Sequence, residues 1–315
     1  MNYRAELQAN LYLNKYLDPQ LLIDRQNFRD DFLATLGTVP QAARTADGVR
    51  RNKLINNVEF KVNNNSNFTA KQVEGKNLIV EWEKYDTTPT AITDVELRYL
   101  PFDKESAIRK LHDDCFKNGM LKHAMYKLCP ENNDDEDNMP VLKTTGENDG
   151  TGRLRLTYAD LVNFATRVKN WNMPIANQLY MILCPQHTAD LLLDPNASKF
   201  FYDRSFYADP KTGKIKGFMG MQFFENNDTP YYTEASLTRV AEGSKPSTGT
   251  DLQASIAYYA PNTYYHIEAV MSLYYPMEMD TKSKDPQAEY RQRTWGIVDR
   301  IEEFGVAAIV SGKSV

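Results

Sequence analysis

The chain has 315 residues, of which 42% are hydrophobic and 25% are charged, and its formal net charge at pH 7 is −5. This length and composition exclude a chain that is disordered throughout and predict one large folded domain or two ordinary ones. Lysine and arginine form no long basic stripe, which argues against tight or sequence-specific binding of nucleic acid, because phosphate contacts need clustered positive charge.

The N-terminal sequence "MNYRAELQANLYLNKYL" carries charges early and lacks a continuous apolar stretch, so we expect no signal peptide. No run of about 18 apolar residues is present, so we expect no membrane span. The chain has three cysteines, and no two of them form a CxxC motif. They are Cys115, Cys129 and Cys184. This usage is typical of a reducing compartment or of cysteines that pack as small apolar residues.

Residues 1–50 are predicted to form an arm that contains one helix. The helix begins at Asp18-Pro19, which suits a cap and a first helical residue, and it ends at Gly37. Its apolar stripe comprises Leu22, Phe28, Phe32 and Leu36. The sequence after the helix has little to bury, so we expect the helix to pack against another surface.

Between residues 54 and 101 the pattern changes to an alternation of apolar and polar residues, which predicts a long β-hairpin with its tip near residues 86–90. A two-stranded ribbon is only marginally stable in water, so its apolar faces must be covered by something else. The alternating apolar residues are Val58, Phe60, Val62, Leu78, Val80, Trp82, Val95, Leu97 and Tyr99.

Residues 103–129 have helical spacing and predict a helix roughly 40 Å long, because each residue adds about 1.5 Å. Asp103 can cap its start and Pro130 ends it. We expect His112 to face water. The predicted inward row comprises Ile108, Leu111, Cys115, Leu121, Ala124, Met125 and Leu128.

The second half of the chain mixes helices and strands. "TYADLVNFATRVKNWN" predicts a helix that opens with a capping box of Thr157 and Asp160. A strand over 179–184, a short helix over 187–193 and a glycine-punctuated strand pair in "GKIKGFMGMQFFEN" follow. "PNTYYHIEAVMSLYY" predicts a helix with Ile267, Val270 and Met271 facing inward, and "MEMDTK" and "RTWGIVDRIEEFGVAAIVSG" predict strands. The absence of a regular βαβ rhythm favours the α+β fold class.

Cys184 and His187 lie three residues apart after an apolar strand and are the first candidates for catalysis. A thiol nucleophile needs a base within hydrogen-bond reach and a third group that orients the base. Cys184 ends an apolar run, where thiols are usually inert, so we interpret it as a packing residue. A hydrolase that uses Cys184 stays as an alternative hypothesis.

Other candidate sites have simpler structural interpretations. His112 and Cys115 could share a metal on one helix, but we expect Cys115 to pack inward instead. A calcium loop that begins at Asp134 would place Met139 where an EF-hand needs glycine. No nucleotide-binding or hydrolase motif is present. We therefore expect no cofactor, no metal and no catalytic residue.

The order of these elements resembles the major capsid protein of tailed bacteriophages, which has the Hong Kong 97-type fold. The most specific segments are "LYMILCPQHTADLLLDP", an apolar strand followed by a short helix, and "GKIKGFMGMQFFEN", a glycine turn that leads into a new strand. Encapsulin shells share this fold. The resemblance extends from about residue 50 to residue 312.

The resemblance implies a division of the chain into an N-terminal arm and three regions. Residues 54–102 would form the extended loop, a β-hairpin that lies across a neighbouring subunit. Residues 103–157 and 262–315 would form the peripheral domain with its spine helix, and residues 158–261 the axial domain. The apolar residues that we expect at contacts between subunits are Phe28, Phe32, Leu78, Val80, Trp82, Val95, Leu97 and Tyr99.

The resemblance also implies a structural function without catalysis. We expect the chain to assemble as hexamers and pentamers of an icosahedral shell that encloses double-stranded DNA without sequence-specific binding. The expected partners are further copies of the chain, a portal and, where the head uses them, separate scaffolding or decoration proteins, with no membrane. The expected location is the virion after assembly in the host cytoplasm. An encapsulin-type compartment is the alternative.

Overall fold

The computed structural model describes residues 29–55, 58–65, 67, 70, 72–93, 104–133, 138–171, 173, 178–197, 215 and 217–313. The chain divides into two compact units. Among the described residues, the first unit comprises 83–93, 104–121 and 267–296. The second unit comprises the other described residues, which fall within 29–82, 122–266 and 297–313.

Helices and strands are mixed along the described chain, which confirms the α+β fold class. The helices are α1 (Lys104–Lys127), α2 (Tyr158–Lys169) and α3 (Pro185–Leu193). The strands are β1 (Gly48–Leu54), β2 (Gly75–Glu81), β3 (Glu83–Asp86), β4 (Thr90–Thr93), β5 (Val141–Lys143), β6 (Leu179–Leu183), β7 (Gly217–Phe218), β8 (Met221–Glu225), β9 (Tyr231–Thr233), β10 (Asp251–Tyr259), β11 (Thr263–Ile267), β12 (Met271–Tyr275), β13 (Gln287–Arg300) and β14 (Val306–Val310).

The first unit contains most of α1 and a small antiparallel sheet. The long strand β13 pairs with β12, β3 and β4. Side chains alternate between the two faces of a strand, and the even-numbered residues of β13 from Ala288 to Thr294 are buried while the odd-numbered ones are not. Ala288 and Tyr290 pack with Ile92 and Ile108 in a small core.

The second unit is built on a mixed sheet with strand order β5-β14-β10-β6-β8-β7, and β9 also pairs with β10. The strand β10 pairs antiparallel with β14 and with β6. All five residues of β14 and the last six residues of β10 are buried. Strands that are covered on both faces read as continuous apolar runs, as these do.

Helix α2 begins at the predicted capping box. Thr157 accepts a hydrogen bond from the backbone N–H of Asp160, and the Asp160 carboxylate accepts one from the backbone N–H of Thr157. Leu161, Phe164 and Val168 line the buried face of the helix, at the predicted spacing, and pack against the sheet. The prediction of this helix is confirmed. Pro185 occupies the first turn of α3, so that helix begins two residues before the predicted position.

The turn between β7 and β8 contains Met219 and Gly220, with φ angles of 48° and 86°. Positive φ at both central residues defines a type I′ turn, which matches the twist of a two-stranded hairpin. Glycine adopts this conformation without steric cost, whereas Met219 does not. The glycine-punctuated strand pair of the sequence analysis is therefore confirmed.

The predicted hairpin has a different register in the structure. Strands β1 and β2 pair antiparallel from Gly48 opposite Glu81 to Leu54 opposite Gly75. The tip is the long segment 55–74, which we call the hairpin loop, and not residues 86–90. Residues 87–89 instead separate β3 from β4, and both of these strands pair with β13. Local alternation identified the strand that contains Leu78 and Val80, whereas Val58–Val62 are not in a strand and residues 95–99 lie outside the described residues.

Two further predictions of secondary structure were wrong, and a third is contradicted over the part of it that the structure describes. The described part of the predicted helix 18–37 contains only a 3-10 turn at Asp31–Thr35, and positions 18–28 lie outside the described residues. The predicted helix in 261–275 is the strand pair β11 and β12. The segment "MEMDTK" contains a 3-10 turn, Met277–Met279, instead of a strand. Among the described residues, no helix is both long and apolar enough to cross a membrane.

Candidate subunit interface

Cys184 and His187 lie in the core of the second unit. Both residues are 0% exposed. His187 Nδ1 lies 2.7 Å from Ser255 Oγ, and its Nε2 lies 2.9 Å from Ser311 Oγ. The backbone N–H of Cys184 donates to the same Ser255 hydroxyl at 3.0 Å. His187 thus connects α3 to strand β10 and to the end of β14.

The electrostatics of this pair do not suit a nucleophile. Burial raises the pKa of the Cys184 thiol above its ordinary value. Burial also lowers the pKa of His187 to about 4, so the imidazole is neutral at pH 7. A reactive cysteine needs a lowered pKa and access to substrate. Cys184 therefore has the surroundings of a packing residue.

A buried ion pair lies next to His187. Both guanidinium nitrogens Nη1 and Nη2 of Arg153 donate to the Asp190 carboxylate, at 2.6 and 2.8 Å. Asp190 also accepts from the backbone N–H of Leu156 at 3.0 Å. Asp149 accepts from Arg153 Nε at 2.9 Å, and hydrogen bonds from Thr151 and Arg153 lower the pKa of that carboxyl to about 2. The network fixes the segment before α2 to α3.

The second candidate pair is oriented opposite to its prediction. His112 is buried, and its Nδ1 and Nε2 lie 2.7 Å from Thr87 Oγ1 and 2.9 Å from Thr90 Oγ1. Cys115 is exposed. The expectation that Cys115 packs inward while His112 faces water is wrong, because the residues around β3 and β4 bring hydroxyl partners to His112. No three metal-binding side chains in the described part of the chain form a site.

The structure divides the predicted contact residues into three groups. Phe32 is 1% exposed and Val80 is 9% exposed, so the premise that these two side chains lack a core of their own is wrong. Leu78 and Trp82 are partly buried against the cluster that contains Val80. As contacts between subunits, these four residues stay a prediction. Phe28, Val95, Leu97 and Tyr99 lie outside the described residues.

The hairpin loop carries three of the most exposed apolar side chains among the described residues. Phe60 is 92% exposed, Val58 is 77% exposed and Val62 is 73% exposed. Scattered exposed apolar residues are normal, whereas three within one pentapeptide are a local concentration of exposed apolar area, as binding sites often have. Their backbone is not part of a strand, although their alternation is that of one.

A second apolar surface lies on the first unit. Met271, Tyr275 and Trp295 are each at least two-fifths exposed. They belong to β12 and β13, and Met271 and Tyr275 pair with Arg293 and Glu289, which are on the unburied side of β13. This surface was not predicted from the sequence, because the apolar spacing over residues 261–275 suits a helix. The alternation in "MSLYYP" was a weak signal for a strand.

No protein-family model and no curated protein matches the sequence. Solved structures do match. The chain superposes on the cyanophage Pam1 capsid with a TM-score of 0.68 and 10% identity, over 96% of this chain and 97% of that one. The chain has the fold of bacteriophage capsid proteins. The predicted fold is thus confirmed.

Two further capsid structures give the same result. The head of Helicobacter pylori bacteriophage KHP40 matches with a TM-score of 0.67 and 8% identity, over 98% of both chains. The capsid of cyanophage P-SCSP1u matches with a TM-score of 0.64 and 12% identity, over 97% of this chain and 94% of that one. The likeness to capsid structures therefore extends over nearly the whole chain and is not limited to one of its two units.

Proposed function

We propose that this chain is the major capsid protein of a tailed double-stranded DNA phage and that it assembles into the icosahedral shell of the head. The observation that supports this most is the likeness to capsid chains over nearly the full length of both partners. The exposed hairpin loop adds an independent argument, because apolar side chains at such a tip are stabilised only when another molecule covers them.

Each copy would act through shape and contact area. A shell subunit needs heterologous contacts that close into rings, since a repeated rotation generates pentamers and hexamers. Burying a large apolar side chain contributes about 1.5 to 3 kcal/mol, so a few loop residues suffice for a specific but reversible contact. Residues 54–102 would form the loop that reaches a neighbouring copy, and the buried Cys184 would have no catalytic role.

The partners would follow from this function. The net charge of −5 suits a wall that encloses DNA without gripping it, because dense phosphate is repelled by acidic protein. A portal and, where the head uses them, scaffolding or decoration proteins would bind other parts of the shell. Residues 103–157 and 262–315 would form the peripheral domain and residues 158–261 the axial domain. The location would be the virion, assembled in the host cytoplasm.

Imaging of the purified protein tests the proposal. The protein is expressed alone and with co-expressed candidate scaffolding protein, separated on a density gradient, and viewed by negative-stain electron microscopy. We expect closed shells of uniform size. A protein that stays monomeric at high concentration under both conditions would contradict the proposal. Double-stranded DNA in native particles supports a phage head, whereas a co-purified enzyme would support an encapsulin-type compartment.

A further inference from the structure

We propose that His112 is a proton-sensitive latch, which holds the turn between β3 and β4 on helix α1 while its ring is neutral and weakens this hold in acid. The inference concerns a single folded copy and does not depend on the proposed shell function. It rests on the hydrogen bonds around the ring, whose partners all belong to the first unit.

His112 contacts both ends of the turn that joins β3 to β4. Its Nδ1 lies 2.7 Å from Thr87 Oγ1, and its Nε2 lies 2.9 Å from Thr90 Oγ1. Thr87 is also bound to β13, because its backbone N–H donates to the carbonyl of Gln292 at 2.9 Å. The backbone N–H of Gln292 donates in return to the Thr87 hydroxyl at 2.9 Å. The ring therefore links α1 to the turn and, through Thr87, to β13.

These contacts assign the proton on the neutral ring. The Thr87 oxygen accepts from the backbone N–H of Gln292, and its hydroxyl has one hydrogen to donate. Among the described residues, the acceptor for that hydrogen is His112 Nδ1. The ring proton then lies on Nε2 and is donated to Thr90 Oγ1. In this form both ring nitrogens and the Thr87 hydroxyl have partners.

A second proton on the ring disrupts this arrangement. An imidazolium donates from both nitrogens, so the Thr87 oxygen would have to accept from His112 and from Gln292 at once. Its own hydrogen would then lose its acceptor. Thr87 is only 9% exposed, and a buried donor without an acceptor is costly. The closed turn therefore favours the neutral ring, whereas an open turn lets water hydrate the imidazolium.

The charged groups of α1 do not reverse this preference. Burial lowers the pKa of His112 below its ordinary value of 6.5, and the carboxylate of Asp113 opposes this shift less strongly. Asp113 also accepts a hydrogen bond from the side-chain amide of Gln292. Arg109, one turn before His112, is a cation whose guanidinium carbon lies 6.0 Å from the centre of the Tyr290 ring.

The strands around the ring give the imidazolium no ion pair among the described residues. Tyr290 of β13 meets the His112 ring edge-on, with ring centres 5.0 Å apart, and Ser272 of β12 lies 3.0 Å from the Tyr290 hydroxyl. Asp86, at the end of β3, pairs with Lys84 at 2.8 Å. The charged residues of β13 near the ring lie on its unburied side, and they are Glu289, Arg291 and Arg293.

The sign of the pH dependence follows from the lowered pKa. In the open turn the pKa of His112 returns to its ordinary value of 6.5, whereas in the closed turn it is lower. The hold is therefore complete above pH 6.5 and weakens below it, because the open form takes up the proton first. One proton changes an equilibrium by at most ten-fold per pH unit, so we expect about two- to ten-fold more opening at about pH 5.5 than at about pH 7.5.

Hydrogen exchange of the unassembled full chain tests the latch. The backbone N–H of Thr87 reports on the turn, because it is bound to Gln292 in the closed form. Its exchange rate is measured at both pH values and corrected for the intrinsic effect of pH. We expect the increase in opening in the native chain and its loss in His112→Gln, whose side chain does not titrate. The amides of β10 report global unfolding and serve as the reference.

The matched control is His123→Gln, which changes the other histidine of α1 and should keep the increase. No increase in the native chain would overturn the latch. An increase that His112→Gln retains, or one that merely equals the change at β10, would overturn it too. None of these results bears on the assembly of shells, which tests the proposed function separately.

Nitrogen-15 NMR of the histidine rings decides the case if His112→Gln does not fold. The chain has four histidines, and substitution of the other three by glutamine assigns the His112 signals in the native chain by elimination. We expect the His112 ring to titrate below pH 6.5 and its neutral form to carry the proton on Nε2. A ring that titrates at or above pH 6.5, or a neutral ring protonated on Nδ1, would overturn the latch.

Discussion

His187 makes the folded chain sensitive to acid. Its pKa is lowered from 6.5 to about 4 by burial, so between these values the unfolded chain binds a proton that the folded chain does not. The free energy of unfolding is therefore not reduced by this residue above about pH 6.5, and it falls as the pH drops toward 4. The pKa shift corresponds to a decrease of about 3 kcal/mol in the free energy of unfolding at low pH, since one pKa unit equals 1.36 kcal/mol.

Substitution of His187 checks this effect. His187→Gln should be less stable at neutral pH, because the bridge to Ser255 and Ser311 is disturbed, but it should lose most of the acid response. Urea unfolding of the unassembled subunit across this pH range measures both quantities. The partly exposed His266→Gln variant should keep the acid response. An unchanged acid response in His187→Gln would contradict the assignment to this residue.

Neutralisation of Asp190 should destabilise the second unit. Asp190→Asn removes the bidentate partner of Arg153, which keeps its contact with Asp149, so we expect a cost of about 1.5 to 3 kcal/mol, the contribution of hydrogen bonds to charged groups. The comparison is Asp228→Asn, which removes a partly exposed contact with Lys122 at 3.6 Å and should cost about 1 kcal/mol or less. Similar unfolding midpoints for the two variants would refute the importance of the network.

Helical periodicity alone could not orient His112. Ile108, Leu111, His112 and Cys115 lie within one broad face of α1, so their spacing permits several choices of the buried row. The buried member is decided by Thr87 and Thr90, which follow β3 and begin β4 and offer hydroxyls to both ring nitrogens. These partners are distant in sequence. Their proximity follows from strand pairing, which local patterns do not contain.

Two glycines show how backbone geometry acts at the scale of whole elements. A Cβ added at Gly37 would lie 2.4 Å from the carbonyl oxygen of Thr263, and the Gly37 carbonyl accepts a hydrogen bond from Tyr265. Gly119 lies in the exposed middle of α1, and a Cβ there would meet nothing within 4 Å. Gly37 permits its segment to approach the backbone of β11 closely. Gly119 has no such contact and only lowers the helix propensity of α1.

Alanine at these positions should therefore have opposite effects. Gly119→Ala should stabilise the subunit by about 0.5 to 1 kcal/mol, the difference in helix propensity. Gly37→Ala should destabilise it, because backbone must move to relieve the contact with Thr263. Thermal unfolding of the unassembled variants gives the sign of each change. Stabilisation by Gly37→Ala would show that the segment before β1 is not held against β11.

Elements with strong local signals were predictable and elements decided by distant partners were not. Helix α2 has a capping box and an apolar stripe, and both signals agree. The region 263–275 has apolar residues at spacings that suit a helix, but it forms β11 and β12 because β13 supplies a long partner strand. The order of elements along the chain still identified the fold, since that order survives errors in individual elements.

At the scale of the whole molecule, stability and assembly should be separable, because different residues carry them. The core of the second unit contains Leu161, Phe164 and Met181, among others, and none of its described members comes from the hairpin loop. The loop instead holds Phe60, which is almost fully exposed. We therefore expect folding and the proposed contact between copies to depend on different segments of one chain.

Replacement of the hairpin loop tests this separation. The backbone N–H of Ile55 donates to the carbonyl of Glu74 at 2.8 Å, so the two ends of the loop are adjacent. A variant in which Asn-Gly replaces residues 56–73 closes the hairpin with a two-residue type I′ turn. Its unfolding temperature should equal or exceed that of the native chain, because a shorter loop costs less closure entropy and no core is removed.

The same variant should form no shells under conditions in which the native chain forms them. The control Asn65→Ser, an exposed polar change in the same loop, should also form shells. Gradient sedimentation and electron microscopy measure assembly, and circular dichroism measures folding. A variant that folds normally and still assembles would show that the loop is dispensable for contact between subunits. A variant that unfolds would show that the loop contributes to the subunit itself, contrary to the exposure of Val58, Phe60 and Val62.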